Sequence, residues 1–153
     1  MLLTKRGLQI AVLYGLISGL LLASLLKFVE YITHFKVYTL LLNVDYIPYI
    51  NTFVFPEFVE VGFHLIVSFA LAICLYLMIV YRKISSRKKI IFLCTFVCFI
   101  IGTALFPTTT FSDRTPAFTS IPSFSYWIGG HIMYGYILGI LFARYFTKDQ
   151  KIN

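Results

Sequence analysis

Long apolar runs alternate with short polar breaks along the whole chain. Four of these runs are long enough to cross the hydrocarbon core of a bilayer, which takes about 20 helical residues. They cover about residues 7–29, 57–81, 89–106 and 126–146. Pro107 directly follows the third run and cannot continue its helix. The pattern predicts four transmembrane helices, with longer connecting segments at 30–56 and 107–125.

Composition agrees with a membrane protein rather than a soluble one. Hydrophobic residues make up 59% of the 153 residues and charged residues only 12%, whereas about 25% of a typical soluble domain is charged. We therefore predict an all-α integral membrane protein, in which residues 1–153 form a single transmembrane domain, a bundle of four helices.

The basic residues predict the orientation of the bundle. Ten of the thirteen lysines and arginines lie near the chain ends or between the second and third spans: Lys5, Arg6, Arg82, Lys83, Arg87, Lys88, Lys89, Arg144, Lys148 and Lys151. Cytoplasmic loops carry an excess of Lys and Arg, so both termini are predicted to be cytoplasmic and the two longer loops to face outwards. The net charge of +7 is then an orientation signal rather than a sign of nucleic-acid binding.

Small residues recur at every fourth position in the first and fourth spans. Gly15 and Gly19 form such a pair in the first span, and Gly135 and Gly139 form one in the fourth. Ridges of small residues let helix backbones approach closely inside a bilayer. Because the two spans run in opposite directions, we expect them to pack against each other through these glycines. A homodimer seam through the first span is the alternative.

The second span begins with a polar stripe. At about 100° per residue, Glu57, Glu60 and His64 fall on one face of the helix. His131 is expected at a comparable depth in the fourth span. Ionisable groups inside a bilayer are costly unless they are paired or hydrated, so they are candidates for a functional site.

A structural role is the simplest interpretation of this stripe. Glu57 lies at the start of a helix, where a carboxylate is stabilised by the helix dipole. Glu57 and Glu60 also have Lys27 and Arg114 as predicted outer-side partners. In this interpretation the four side chains form ion pairs that hold the outer ends of the helices together.

Two chemical roles are the alternatives. Glu60, His64 and His131 offer a carboxylate and two imidazoles to a divalent metal, although their spacing matches no established metal motif. Otherwise His64 or His131 acts as a general base while Arg114 holds a lipid phosphate.

These observations favour a non-enzymatic accessory or binding protein of the cell membrane, whose outer side meets a lipid or a membrane-protein partner. An outward-facing lipid-modifying or metal-dependent enzyme is the alternative. A small dimeric transporter is a second alternative, but the first span lacks the deep carboxylate that such a transporter would use.

Two segments carry a resemblance to a known group. FPEFVEVGFHLIVS at residues 55–68 and YWIGGHIMYGYILG at residues 126–139 together resemble small four-span membrane proteins of Gram-positive bacteria, of the YqhR or YagU-like kind. The resemblance implies a multi-pass protein of a bacterial cytoplasmic membrane. It implies no particular activity or site residue.

Overall fold

The computed structural model describes residues 3–45 and 47–149, and in this part of the chain all regular elements are helical. The α-helices are α1 (Lys5–Thr33), α2 (Val37–Leu42), α3 (Glu57–Tyr81), α4 (Arg87–Leu105) and α5 (Ile121–Asp149), with 3₁₀ turns at Ile50–Thr52 and Phe106–Phe111. Helices α1, α3, α4 and α5 are long and apolar enough to cross a membrane. The predicted all-helical class, with four helices of membrane-spanning length and composition, is therefore confirmed.

Helix α1 extends beyond its predicted apolar span at both ends because local capping, rather than hydrophobicity, determines where it begins and ends. The Thr4 hydroxyl accepts a hydrogen bond from the Gly7 amide at 3.0 Å and caps the start of α1. The same helix ends at His34, whose left-handed backbone conformation (φ 60°) is typical of a helix C-terminus. Lys151 and the side chain of Lys148, both used for the predicted orientation, lie outside the described part of the chain.

The four long helices do not form a closed ring. Helix α1 packs against both α3 and α5, and α4 packs along α5. Among the described residues α3 and α4 make no comparable contact, although they follow each other in the sequence. The helices therefore lie in the order α3, α1, α5, α4, with a gap between α3 and α4.

The glycines of the first span face α3 rather than α5. A Cβ atom placed on Gly15 would lie 3.0 Å from the carbonyl oxygen of Ser68, and one on Gly19 would lie 3.1 Å from the side chain of Leu65. Both glycines are buried in this contact. The first and fourth spans do pack against each other, but the prediction that Gly15 and Gly19 form this contact is wrong. The alternative homodimer seam would need a face that is already covered by α3.

Gly135 and Gly139 of the fourth span face α4. A Cβ atom on Gly135 would lie 2.7 Å from the carbonyl oxygen of Cys94, and one on Gly139 would lie 2.8 Å from the Cα atom of Ile91. Helices α1 and α5 meet elsewhere, through the ring pair Tyr14–Phe142 and at Gly130, where a Cβ atom would lie 2.9 Å from the side chain of Leu22. The spacing of the glycines identified a close-packing face of each helix, and it could not identify the helix that covers it.

Candidate functional site

The C-terminal part of α1 and the starts of α2 and α3 are joined at the carboxylate of Glu57. Lys27 Nζ lies 2.5 Å from Glu57 Oε1, and the Tyr38 hydroxyl donates to the same oxygen at 2.7 Å. Burial raises the pKa of Tyr38, and the hydrogen bond to the Glu57 carboxylate raises it further. Tyr38 therefore keeps its proton at neutral pH and remains a donor to Glu57.

A second ion pair joins the loop 107–120, the predicted outer loop, to α3. Arg114 Nη2 lies 3.1 Å from Glu60 Oε1, and the side chain of Glu60 is only 7% exposed. The same guanidinium lies 3.9 Å from Asp45 Oδ1, while the Ser112 hydroxyl donates to Asp45 Oδ2 at 2.5 Å. Arg114 therefore connects the outer loop both to α3 and to the segment that follows α2.

Glu30 has a structural role that the sequence did not reveal. Its Oε2 accepts hydrogen bonds from the backbone amides of Tyr38 and Thr39 at 2.7 and 2.8 Å, and its Oε1 accepts one from the Thr39 hydroxyl. A carboxylate in this position stabilises the free amides at the start of a helix. The partners lie eight and nine residues away across a turn, so no local capping motif could show them.

The two histidines of the predicted cluster each bind a backbone carbonyl. His64 Nε2 lies 3.1 Å from the oxygen of Gly19, and His131 Nδ1 lies 2.9 Å from the oxygen of Trp127. A carbonyl oxygen only accepts, so these two nitrogens carry the hydrogen. In a neutral imidazole the other nitrogen is then an acceptor, namely Nδ1 of His64 and Nε2 of His131.

The predicted metal set of Glu60, His64 and His131 is not assembled. Within residues 3–45 and 47–149, no three His, Cys, Asp or Glu side chains come close enough to hold a metal ion. Glu60 turns to Arg114 instead, because a buried carboxylate is stabilised by a nearby cation. The same contact occupies the guanidinium that the lipid-phosphate hypothesis required.

A cavity of about 230 Å³ lies where α3 and α4 fail to meet. Its polar lining consists of Asn43, His64, Ser68, Thr108, Trp127, His131 and Tyr134, and the remaining walls are apolar. Residues 40–44, 47 and 50 form one wall. Ile66 and Val67 also line the cavity, yet they are 62% and 54% exposed. The cavity therefore reaches the surface of the bundle that is turned towards the bilayer.

Most polar groups of the cavity wall are already paired. The Ser68 hydroxyl donates to the carbonyl oxygen of Gly15 at 2.8 Å, and the Tyr134 hydroxyl lies 2.8 Å from Ser68 Oγ. Because Ser68 has only one hydroxyl hydrogen, Tyr134 is the donor between them. Asn43 Oδ1 accepts from the backbone amide of Asp45, whereas Asn43 Nδ2 is buried and has no hydrogen-bond partner within the described chain.

Gly102 and Trp127 hold His131 against α4. Trp127, the single tryptophan of the chain, donates from Nε1 to the carbonyl oxygen of Gly102 at 2.7 Å. A Cβ atom on Gly102 would lie 2.7 Å from the His131 ring. Because Gly102 belongs to no periodic set of small residues, its role could not be predicted from the sequence.

No family model, curated protein or solved structure matches this chain, so the resemblance to YqhR or YagU-like proteins stays a prediction.

Proposed function

We propose that this protein is a multi-pass membrane protein that binds an amphiphilic molecule, taking its apolar chain from the bilayer into the cavity between α3 and α4. The cavity carries this proposal. A dry cavity of about 150 Å³ lined by aliphatic and aromatic side chains holds a benzene molecule, so the larger space here, about 230 Å³, accepts a longer segment of an alkyl chain.

The route into the cavity runs through the side of the bundle. Ile66 and Val67 are more than half exposed and form part of the cavity wall. An apolar chain that enters beside them stays in an apolar environment throughout. The outer face is occupied by the segment after α2, which Arg114 links to the outer loop. Entry from the bilayer therefore leaves the ion pair between Arg114 and Asp45 intact.

We place the cavity in the outer half of a cell membrane, most simply a bacterial cytoplasmic membrane. The basic turn 82–89 and the basic chain ends support this orientation. Helix α3 starts at its outer end with Glu57, and the cavity-lining residues His64 and Ser68 follow within its first three turns. The bound molecule then comes from the outer leaflet.

Binding is better supported than catalysis or transport. The guanidinium of Arg114 is paired with the carboxylate of Glu60. His64 and His131 each donate a hydrogen bond from one ring nitrogen to a backbone carbonyl. These contacts position the side chains in the wall. The remaining imidazole nitrogens are available to a ligand as hydrogen-bond acceptors.

Quenching of Trp127 fluorescence tests the proposal. Trp127 is 3% exposed and lines the cavity, so a brominated chain quenches it efficiently only after entering the bundle. The protein is placed in phosphatidylcholine nanodiscs containing phosphatidylcholine with dibrominated chains. Ile101→Phe fills the cavity and is expected to lower quenching at least twofold. Ile100→Phe, a matched change at an exposed residue outside the cavity wall, is expected to leave quenching as in the unmodified protein. Equal quenching in all three proteins contradicts the proposal.

A further inference from the structure

The geometry points to a particular class of ligand: we infer that the cavity selects an amphiphile whose polar end is uncharged and carries hydroxyl groups, as a single-chain glycerol lipid does. This inference rests on the proposed function and adds the chemistry of the ligand's polar end. Two observations carry it: the described cavity wall contains no Asp, Glu, Lys or Arg, and some of its polar groups have no partner among the described residues. These groups are Asn43 Nδ2 and the second ring nitrogens of His64 and His131.

The cavity wall disfavours an ionised polar end. None of the described lining residues is an Asp, Glu, Lys or Arg. Two basic side chains of the same side, Lys27 and Arg114, are held by Glu57 and Glu60. Moving a phosphate or an ammonium group into such a space removes its hydration without supplying a counter-charge, which costs several kcal/mol. A charged end is therefore left outside, and only an uncharged one enters.

The wall also disfavours an end without polar groups. Asn43 is 4% exposed, and its Nδ2 has no partner among the described residues. His131 is 7% exposed, and its Nδ1 is bound to Trp127, which leaves Nε2 as an acceptor without a partner among the described residues. His64 Nε2 is bound to the carbonyl oxygen of Gly19, so His64 Nδ1 is a second acceptor. Buried polar groups without partners are destabilising, so a purely apolar occupant leaves this cost in place.

Hydroxyl groups match this set of donors and acceptors. Each hydroxyl donates one hydrogen and accepts through two lone pairs. Two hydroxyls on adjacent carbons supply one donor for each imidazole, and either oxygen accepts from Asn43 Nδ2. A methyl ether keeps the acceptors but loses both donors, and a phosphate monoester adds charge. Comparing the glycerol end with the methyl ether tests whether binding needs hydroxyl donors. Comparing it with the phosphate monoester tests whether binding needs an uncharged end.

The test compares three probes that share one dibrominated dodecyl chain. Their polar ends are glycerol joined by an ether bond, the same glycerol with both hydroxyls methylated, and a phosphate monoester. Each is titrated into phosphatidylcholine nanodiscs, and quenching of Trp127 is measured against the background of the cavity-filled variant Ile101→Phe. We expect half-maximal specific quenching by the glycerol probe at about one tenth of the mole fraction that either other probe needs, since one or two net hydrogen bonds correspond to about tenfold.

The outcomes separate this inference from the proposed function. Equal affinity for all three probes, or tightest binding of the phosphate, overturns the inference and leaves the proposed function standing. No quenching above the background by any probe overturns both. As a second check, Asn43→Ala is expected to reduce the advantage of the glycerol probe to threefold or less. Because the glycerol and methylated probes are titrated into the same variant, a folding defect lowers quenching by both and does not by itself change their ratio.

Discussion

The hydroxyl oxygens of Ser68 and Tyr134 lie 2.8 Å apart and connect α3 to α5 at the wall of the cavity. These two helices have little direct backbone contact, because α1 lies between them. Ser68 is also bonded to the carbonyl oxygen of Gly15 on α1. A three-helix connection of this kind fixes the position of α3 without requiring α4, and so it maintains the gap in which the cavity lies.

Loss of either hydroxyl is expected to destabilise the bundle modestly. Ser68→Ala and Tyr134→Phe should each lower the free energy of unfolding in detergent by about 0.6–1.7 kcal/mol, the range for polar contacts between membrane helices. The double variant should lose less than the sum of the two, because both changes remove one shared bond. Ser24→Ala, at an exposed position of α1, is the control and should have no effect. Strict additivity of the two losses is the contradicting result.

Replacing Arg114 alone is expected to lower the free energy of unfolding more than replacing both Arg114 and Glu60. Arg114→Gln leaves the carboxylate of Glu60, only 7% exposed, without its cation. We expect the free energy of unfolding to fall by about 1–3 kcal/mol. Adding Glu60→Gln removes the unpaired charge and should restore at least half of the loss. Lys36→Gln, a change at another exposed cation of the same side, serves as the control. If the double variant is less stable than Arg114→Gln, the pair does not act as described.

The contact between α4 and α5 is expected to be intolerant of a single methyl group. Gly135→Ala places a Cβ atom 2.7 Å from the Cys94 carbonyl oxygen and 2.8 Å from the Thr95 Cα atom, both of them backbone atoms. Overpacking of this kind costs about 1–3 kcal/mol, which should appear as a lower melting temperature. Gly129 lies on the same helix with nothing within 4 Å of its Cβ position. Gly129→Ala should therefore be neutral, and equal effects of the two changes would contradict the packing.

The orientation can be tested by labelling cysteines in intact cells. Cys94 and Cys98 are buried, and Cys74 lies within a membrane-spanning helix, so a membrane-impermeant maleimide should ignore all three. With the termini and the 82–89 turn cytoplasmic, Ser85→Cys should react only after the membrane is permeabilised. Thr119→Cys, in the outer loop, should react without permeabilisation. The reverse pattern would invert the proposed topology and place the cavity in the cytoplasmic leaflet.

The helices could be predicted from the sequence because twenty-residue apolar runs have few alternatives to spanning a bilayer. Which helices pack against each other could not be predicted in this way. Gly15 and Gly135 reveal close-packing faces, but the pattern is the same whichever helix covers them, and the prediction that these glycines form the contact between the first and fourth spans was wrong. Helix α2 was also overlooked, since its start depends on the distant carboxylate of Glu30.

The candidate site was found only in part. Glu57, Glu60, His64 and His131 stood out because ionisable residues are rare in apolar spans, and all four hold structural contacts. The cavity itself left no signal in the sequence, because it results from α3 and α4 failing to meet. Asn43 and Gly102 were missed for the same reason. Their roles depend on what lies opposite them in three dimensions, and neither belongs to a periodic pattern.

Photo-cross-linking can detect directly whether a bilayer lipid enters the cavity between α3 and α4. The protein is placed in nanodiscs containing a lipid with a diazirine at the end of its chain, irradiated, and mapped by mass spectrometry. We expect adducts on Leu22 and Trp127, which line the cavity and are only 2% and 3% exposed. We expect none on Leu138, which is equally buried but lies outside the cavity wall. Adducts confined to lipid-exposed residues such as Phe92, with none on the cavity wall, would contradict lipid entry.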